Sequence, residues 1–259
     1  MNDVSALLGS DEPAAFTIEN ADARSPFVLV TDHASARIPR KLHSLGLSSA
    51  DLQTHIAWDI GAAAVARHLA SHLDAWLILQ NYSRLVIDCN RPPGSTESIV
   101  TQSERTEISG NASIAMDHDQ RAARTREVFE PYHAQIRAAL DDRAAAGRPT
   151  VLIAMHSFTP RYMDDQRPWH TGLLYNRDGR LAQPLLSALR SLPGLVVGDK
   201  EPYSMDDETD YTLPVHGEGR GLMHVGIEVR QDLIADETGQ RLWARRLADA
   251  LLLSIRLVH

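Results

Sequence analysis

The chain has 259 residues, and its 26 basic and 34 acidic side chains give a net charge of −8, a balance that argues against nonspecific binding to nucleic acid or to an anionic membrane. At 43% hydrophobic and 23% charged, the composition excludes disordered and fibrous architectures and leaves enough apolar side chains for a sizeable core. Cys89 is the single cysteine, so an intramolecular disulfide and a four-cysteine zinc knuckle are excluded, and any metal must be held by His, Asp or Glu.

Strand patterns are expected at Phe27–Thr31, Trp76–Gln80, Leu85–Cys89, Thr150–His156, Gly172–Tyr175, Leu195–Val197 and His224–Val229. Helical patterns lie between and after them, at Ser49–Leu73, Ile114–Ala146, Leu181–Leu192 and Glu237–Leu257. The first helix opens Ser-Ser-Ala-Asp-Leu, a capped start, and carries Ile56, Ile60, Ala64 and Leu69 at helical spacing. This alternation predicts an α/β fold with a mixed, largely parallel sheet flanked by helices. Residues 92–115 and 199–221 are polar, turn-rich stretches of the kind that form binding loops. Neither has the composition of a linker, so residues 1–259 are expected to form a single domain. No apolar run reaches the roughly 18 residues of a membrane span, and the N-terminal Met-Asn-Asp lacks the order of a secretion signal, so a cytoplasmic location is expected.

Two histidines stand at strand ends. His33 follows Phe27–Thr31, and His156 closes Val-Leu-Ile-Ala-Met-His. In an open parallel sheet the carboxyl ends of strands converge on a ligand crevice, so the two can meet despite their distance in sequence. Two imidazoles, a carboxylate and an open position make a catalytic zinc site. Asp59, set among apolar and small residues in His55-Ile-Ala-Trp-Asp-Ile-Gly-Ala, is the candidate third ligand, because a buried carboxylate needs a cation. His55, at i−4 on the same predicted helical face, competes for that position or orients it. Met-Asp-His-Asp at 116–119 looks metal-like but reads better as the start of a solvated helix.

Further along, Tyr82-Ser-Arg-Leu-Val-Ile-Asp-Cys-Asn-Arg-Pro-Pro brackets an apolar stretch with Arg84 and Arg91. Two guanidinium groups and the Asn90 amide suit a substrate carboxylate, with an ion pair to Asp88 as the competing role for either arginine. Glu228 interrupts the strand Met-His-Val-Gly-Ile-Glu-Val-Arg, and Arg230 shares its face. Glu228 is therefore either the general base beside a metal-activated water or the ion-pair partner of Arg230. His216 and His224 flank the Gly-Glu-Gly-Arg-Gly loop at 217–221 and are candidates for substrate contact.

Taken in order, His33, Asp59, Tyr82-Ser-Arg with Asp-Cys-Asn-Arg-Pro-Pro, Met155-His-Ser and Gly226-Ile-Glu-Val-Arg resemble the N-formylglutamate amidohydrolase family over about residues 26–255. The resemblance implies a zinc-dependent hydrolase with a zinc-carboxypeptidase-like fold, acting on a small N-acyl amino acid such as N-formylglutamate. It also implies Glu228 as the group that activates water and Asn90 with Arg91 as the carboxylate site; the residue patterns themselves make His33, Asp59 and His156 the expected metal ligands and Arg84, His216 and Arg230 further substrate-binding candidates. The chain departs from the family pattern in having Ala34-Ser35 after His33, where Ser-Gly is usual. Ala36 stands where carboxypeptidase-like enzymes place a glutamate ligand. A zinc peptidase or amidase of another substrate, and a catalytically silent carboxylate-binding protein, are the alternative readings.

Overall fold

The computed structural model describes residues 6–112 and 118–258. Its strands are β1 (Phe16–Glu19), β2 (Phe27–Thr31), β3 (Trp76–Gln80), the short hairpin β4 and β5 (Gln102–Ser103 and Thr106–Glu107), β6 (Val151–Phe158), a second hairpin β7 and β8 (Arg161–Tyr162 and Asp165–Gln166), β9 (Thr171–Leu174), β10 (Val197–Asp199) and β11 (Met223–Arg230). The α-helices are α1 (Ser49–Leu52), α2 (Ala62–Leu73), α3 (His118–Arg124), α4 (Glu130–Ala145), α5 (Ala182–Arg190), α6 (Thr212–His216) and α7 (Glu237–Val258). None of the described helices is long and apolar enough to cross a membrane.

Seven strands form one sheet in the order β1-β3-β2-β6-β11-β9-β10. The centre, β3-β2-β6-β11, is parallel; β1 pairs antiparallel with β3, and β9 antiparallel with β11. Both faces of these strands are buried, as their nearly unbroken apolar sequences require. Alternate residues feed two apolar layers. Leu29, Leu77, Ile153, Met155 and Ile227 pack with α2, α5 and α7, while Val28, Val30, Ile78, Leu152 and Ala154 pack with Tyr132, Ile136 and Leu140 of α4.

The expected strands are found close to their predicted bounds, with one exception. Leu85–Cys89 is not a strand: Val86 N–H donates to Ser83 O at 2.9 Å, and Arg91 N–H to Asp88 O at 3.2 Å, so the segment winds through successive turns. Its apolar residues Leu85, Val86, Ile87 and Cys89 are buried, and so is Asp88. The physical reason is that β3 already has a neighbour on each side, β2 and the unforeseen β1, so a strand following β3 cannot pair with it. Leu195–Val197 is displaced to Val197–Asp199, because Leu195 N–H closes a turn onto Leu192 O at 3.3 Å.

The predicted helix Ser49–Leu73 is broken. The Ser48–Asp51 capping box starts α1, but the helix stops at Leu52, and α2 begins only after Gly61, whose φ of +79° is left-handed. A Cβ on Gly61 would lie 2.3 Å from the Ile234 carbonyl, so this turn is open to glycine alone. Of the predicted helix Ile114–Ala146, residues 114–117 lie outside the described residues, as do Met116 and Asp117 of the 116–119 motif. The described part runs from α3 to α4 through one wide turn, Thr125–Phe129, in which Glu130 N–H reaches back to Thr125 O. Pro131 has no N–H to continue the regular ladder there.

His133 of α4 and His216 of α6 join their helices edge to edge. His133 Nε2–H donates to Cys89 O at 2.8 Å, which leaves its Nδ1 to accept from His216 Nε2 at 3.0 Å. Burial lowers the pKa of His133 to about 4 and, helped by the neighbouring His133, that of His216 to about 3. Both are neutral in the fold, whereas the unfolded chain takes up their protons below about pH 6.5. Their contribution is therefore complete above that pH and is lost as pH falls through the 6.5-to-3 window. Thermal unfolding followed from pH 7 to pH 4 should show a drop in Tm, and His216→Phe, though less stable at pH 7, should show a shallower one.

Candidate metal centre

The carboxyl ends of β2, β6 and β11 open into a cavity of about 390 Å³. His33 lies just beyond β2, His156 lies in β6, and Asp59 lies in the break between α1 and α2, tied to the strand end by its N–H to His33 O at 3.0 Å. The break corrects the expectation of a helical Asp59 with His55 at i−4. His55 lines the cavity but pairs with Glu104 at 2.9 Å, near the β4–β5 hairpin.

Asp59 Oδ2 is 2.8 Å from His156 Nδ1 and 3.4 Å from His33 Nδ1, and a ligand atom from each of the three residues lies within 4.8 Å of the others. Both histidines thus turn the same ring nitrogen inward. Their outer nitrogens meet two further carboxylates: His33 Nε2 is 2.7 Å from Asp88 Oδ1, and His156 Nε2 is 3.4 Å from Asp32 Oδ2. Asp32 is itself fixed, accepting at Oδ1 from the Tyr132 and Thr212 hydroxyls, each at 2.9 Å. Asp88 takes Arg84 Nη2 at 2.7 Å and the Asn90 N–H at 2.9 Å. An imidazole held at its outer nitrogen by a carboxylate, with the inner one offered to a common point, is the support that metal-ligating histidines need.

The charges agree with that reading. Burial works against ionisation of Asp59, but His33 and His156 together outweigh it and hold its carboxyl far below the usual range. Burial and Arg84 oppose protonation of His33, yet Asp88 and Asp59 raise its pKa; Asp32 and Asp59 likewise raise that of His156 against burial. The cluster therefore favours positive charge at its centre, and a divalent cation on three nitrogen and oxygen donors meets that demand.

Glu228 stands directly across from His156 in the parallel β11–β6 register and lines the cavity. It is 5% exposed, its Oε2 has no partner among the described residues, and burial, reinforced by Asp59, pushes its pKa up to about 7. Arg230 is not its ion-pair partner: that guanidinium donates to Asp232 at 2.8 Å and to Trp169 O at 3.4 Å, outside the cavity lining. His216 is likewise absent from the lining, being buried against His133, and His224 is buried with its Nδ1 on Leu222 O. Arg84, Asn90 and Arg91 do face the cavity, together with Tyr162 and Tyr203.

Sequence reasoning passes over Asp32 altogether and reads Asp88 as an arginine partner or a reserve proton acceptor, not as the support of a histidine. The position of Asp32, one residue before a strand-end histidine, was the available signal. Its role depends on His156, whose spatial proximity no local pattern reveals.

Two histidines, an aspartate and a buried glutamate delivered by one sheet to one cavity are a set of groups that a hydrolytic enzyme can use. The sequence profile of N-formylglutamate amidohydrolase matches residues 25–235, and the chain belongs to that family. The gene product Atu2144 from Agrobacterium tumefaciens has a similar structure, with a TM-score of 0.94 and 39% identity over 97% of this chain and 99% of that one. N-formylglutamate amidohydrolase from Ralstonia eutropha JMP134 shares the fold at a TM-score of 0.67 and 19% identity, covering 95% of this chain and 97% of that one. No curated protein matches the chain.

Replacing Asp88 by Asn removes the charge behind His33 and, if the cluster holds a divalent cation, should weaken that cation's affinity by about 10–100-fold while the protein still folds. Titration against a competing chelator measures this. His33→Ala or His156→Ala should leave the protein without stoichiometric metal after dialysis, and full zinc content in both would exclude these ligands.

Proposed function

We propose that this amidohydrolase is zinc-dependent and releases the amino acid from an N-acyl amino acid, with N-formylglutamate as the leading substrate. The observation that carries the reading is the convergence, in one cavity, of the His33–Asp59–His156 donor set, the unpaired Glu228 and the Asn90–Arg91 pair. The three donors would hold the metal, which supplies Lewis acidity that polarises the acyl carbonyl and lowers the pKa of water toward ~7.

The remaining steps belong to the side chains of this chain. Glu228 takes a proton from the attacking water and passes it to the departing amine nitrogen. A carboxyl with a pKa of about 7 is suited to both transfers. Arg84, anchored on Asp88, presents fixed positive charge to the cavity where the carbonyl oxygen becomes anionic. Asn90 and Arg91 bind the carboxylate of the amino-acid portion by charge-assisted hydrogen bonds.

The test is a screen of zinc-loaded protein against N-formyl, N-acetyl and longer N-acyl derivatives of acidic and neutral amino acids, reading free amino acid. Turnover should be greatest for an acidic N-acyl amino acid, and turnover of none would overturn the reading. Glu228→Gln should keep its zinc and lose about 10²–10⁴-fold in kcat. Arg91→Ala should weaken substrate binding by roughly 2–5 kcal/mol, with little recovery in Arg91→Lys, because an ammonium cannot form the two-pronged contact.

A further inference from the structure

The Asn90–Arg91 pair already grips a carboxylate that belongs to the protein. Asp210 Oδ1 accepts from Asn90 Nδ2 at 3.2 Å and from Arg91 Nη1 at 3.0 Å, so one oxygen receives both donors. Asp210 comes from the loop that precedes α6, is only 13% exposed at its side chain, and lines the same cavity as Glu228. Arg91 has a second acidic neighbour, Glu97, with Nε 3.4 Å from Oε2, but Glu97 is 58% exposed and its attraction is correspondingly screened. Asp210 is thus the principal counter-charge of Arg91.

We infer that Asp210 is an internal occupant of the carboxylate subsite, exchanged for the carboxylate of an incoming ligand, and so a determinant of the affinity of that subsite. This inference rests on the assignment of Asn90 and Arg91 to carboxylate binding. The surroundings suit an exchange. Asn90 stays fixed by its other end, where Oδ1 accepts the N–H groups of Thr212 at 3.0 Å and Tyr211 at 3.4 Å. Asp210 Oδ2 has its own partners in the loop, the Asp206 N–H at 3.1 Å and the Thr209 hydroxyl at 3.3 Å, and these do not involve the subsite. Replacing one carboxylate by another conserves the charge-assisted bonds of both donors. Competition of this kind lowers apparent affinity by the fraction of molecules in which the internal group is seated.

Calorimetric titration of the zinc-loaded protein with glutarate, which has no amide to hydrolyse, tests the inference. Asp210→Asn should bind glutarate about tenfold more tightly than the unsubstituted protein, and Asp210→Ser should move in the same direction. In the Arg91→Ala background the gain from Asp210→Asn should vanish, since the competition acts through that guanidinium. A residue that merely positions Arg91 would give the opposite sign. Unchanged or weaker glutarate binding in both Asp210 variants, or no glutarate binding to any of the proteins, overturns the inference. Hydrolysis of N-acyl amino acids alongside unimproved glutarate binding would remove this inference alone. Improved binding in a protein that hydrolyses no N-acyl amino acid would remove the proposed reaction and leave the exchange standing.

Discussion

Everything at the centre of this protein turns on one buried oxygen. Asp59 Oδ2 lies within reach of the inner nitrogens of both His33 and His156 and also accepts the Ser157 N–H at 3.3 Å. A carboxylate in that position, stripped of water, is tolerable only because positive charge surrounds it. Removing one partner from such a buried group of charges typically costs about 3–5 kcal/mol, so the arrangement constrains each of its members. Asp32 and Asp88 complete the arrangement from outside. Each binds the outward nitrogen of one histidine and ties it to a different element, Asp32 to α4 and α6, and Asp88 to Arg84 and the turns before Asn90.

The groups proposed for catalysis and for binding fall at different depths. Glu228 sits on the floor of the cavity across a strand pair, where the sheet fixes its position and burial keeps its carboxyl from ionising readily. Asn90 and Arg91 stand where chain leaves the turns after the buried Leu85–Cys89 segment, closer to solvent, with the loops at 92–112 and 199–211 around them. In the proposed reaction, chemistry falls to residues carried by the sheet and recognition to the loop connections, the usual division of an α/β enzyme.

Much of this was legible in the sequence, because local pattern and tertiary need coincide. β2 and β3 fall at their predicted bounds, since unbroken apolar runs of that length fit only strands buried on both faces. His33, His156 and Glu228 were conspicuous as polar residues interrupting or ending such runs. The failures share one cause, which is dependence on distant partners. Leu85–Cys89 has strand composition, but β3, the strand it follows, is already paired on both sides. Ile56 and Ile60 keep helical spacing across a stretch where the backbone, committed by Gly61, is not helical. His216 and Arg230 looked like site residues from their neighbours in sequence, yet His133 and Asp232 claim them in space.

The glycine turn before α2 also bears on how the protein is made. Gly61 packs against the carbonyl of Ile234, a residue just beyond the last strand of the sheet. During synthesis His33, Asp59 and His156 all leave the ribosome well before that residue does. The turn carrying Asp59 therefore has no wall to rest against, and β11 has not yet inserted beside β6, until nearly the whole chain has emerged. A growing chain thus carries His33, Asp59 and His156 without the framework that brings them together, and the proposed site is assembled late, together with Glu228.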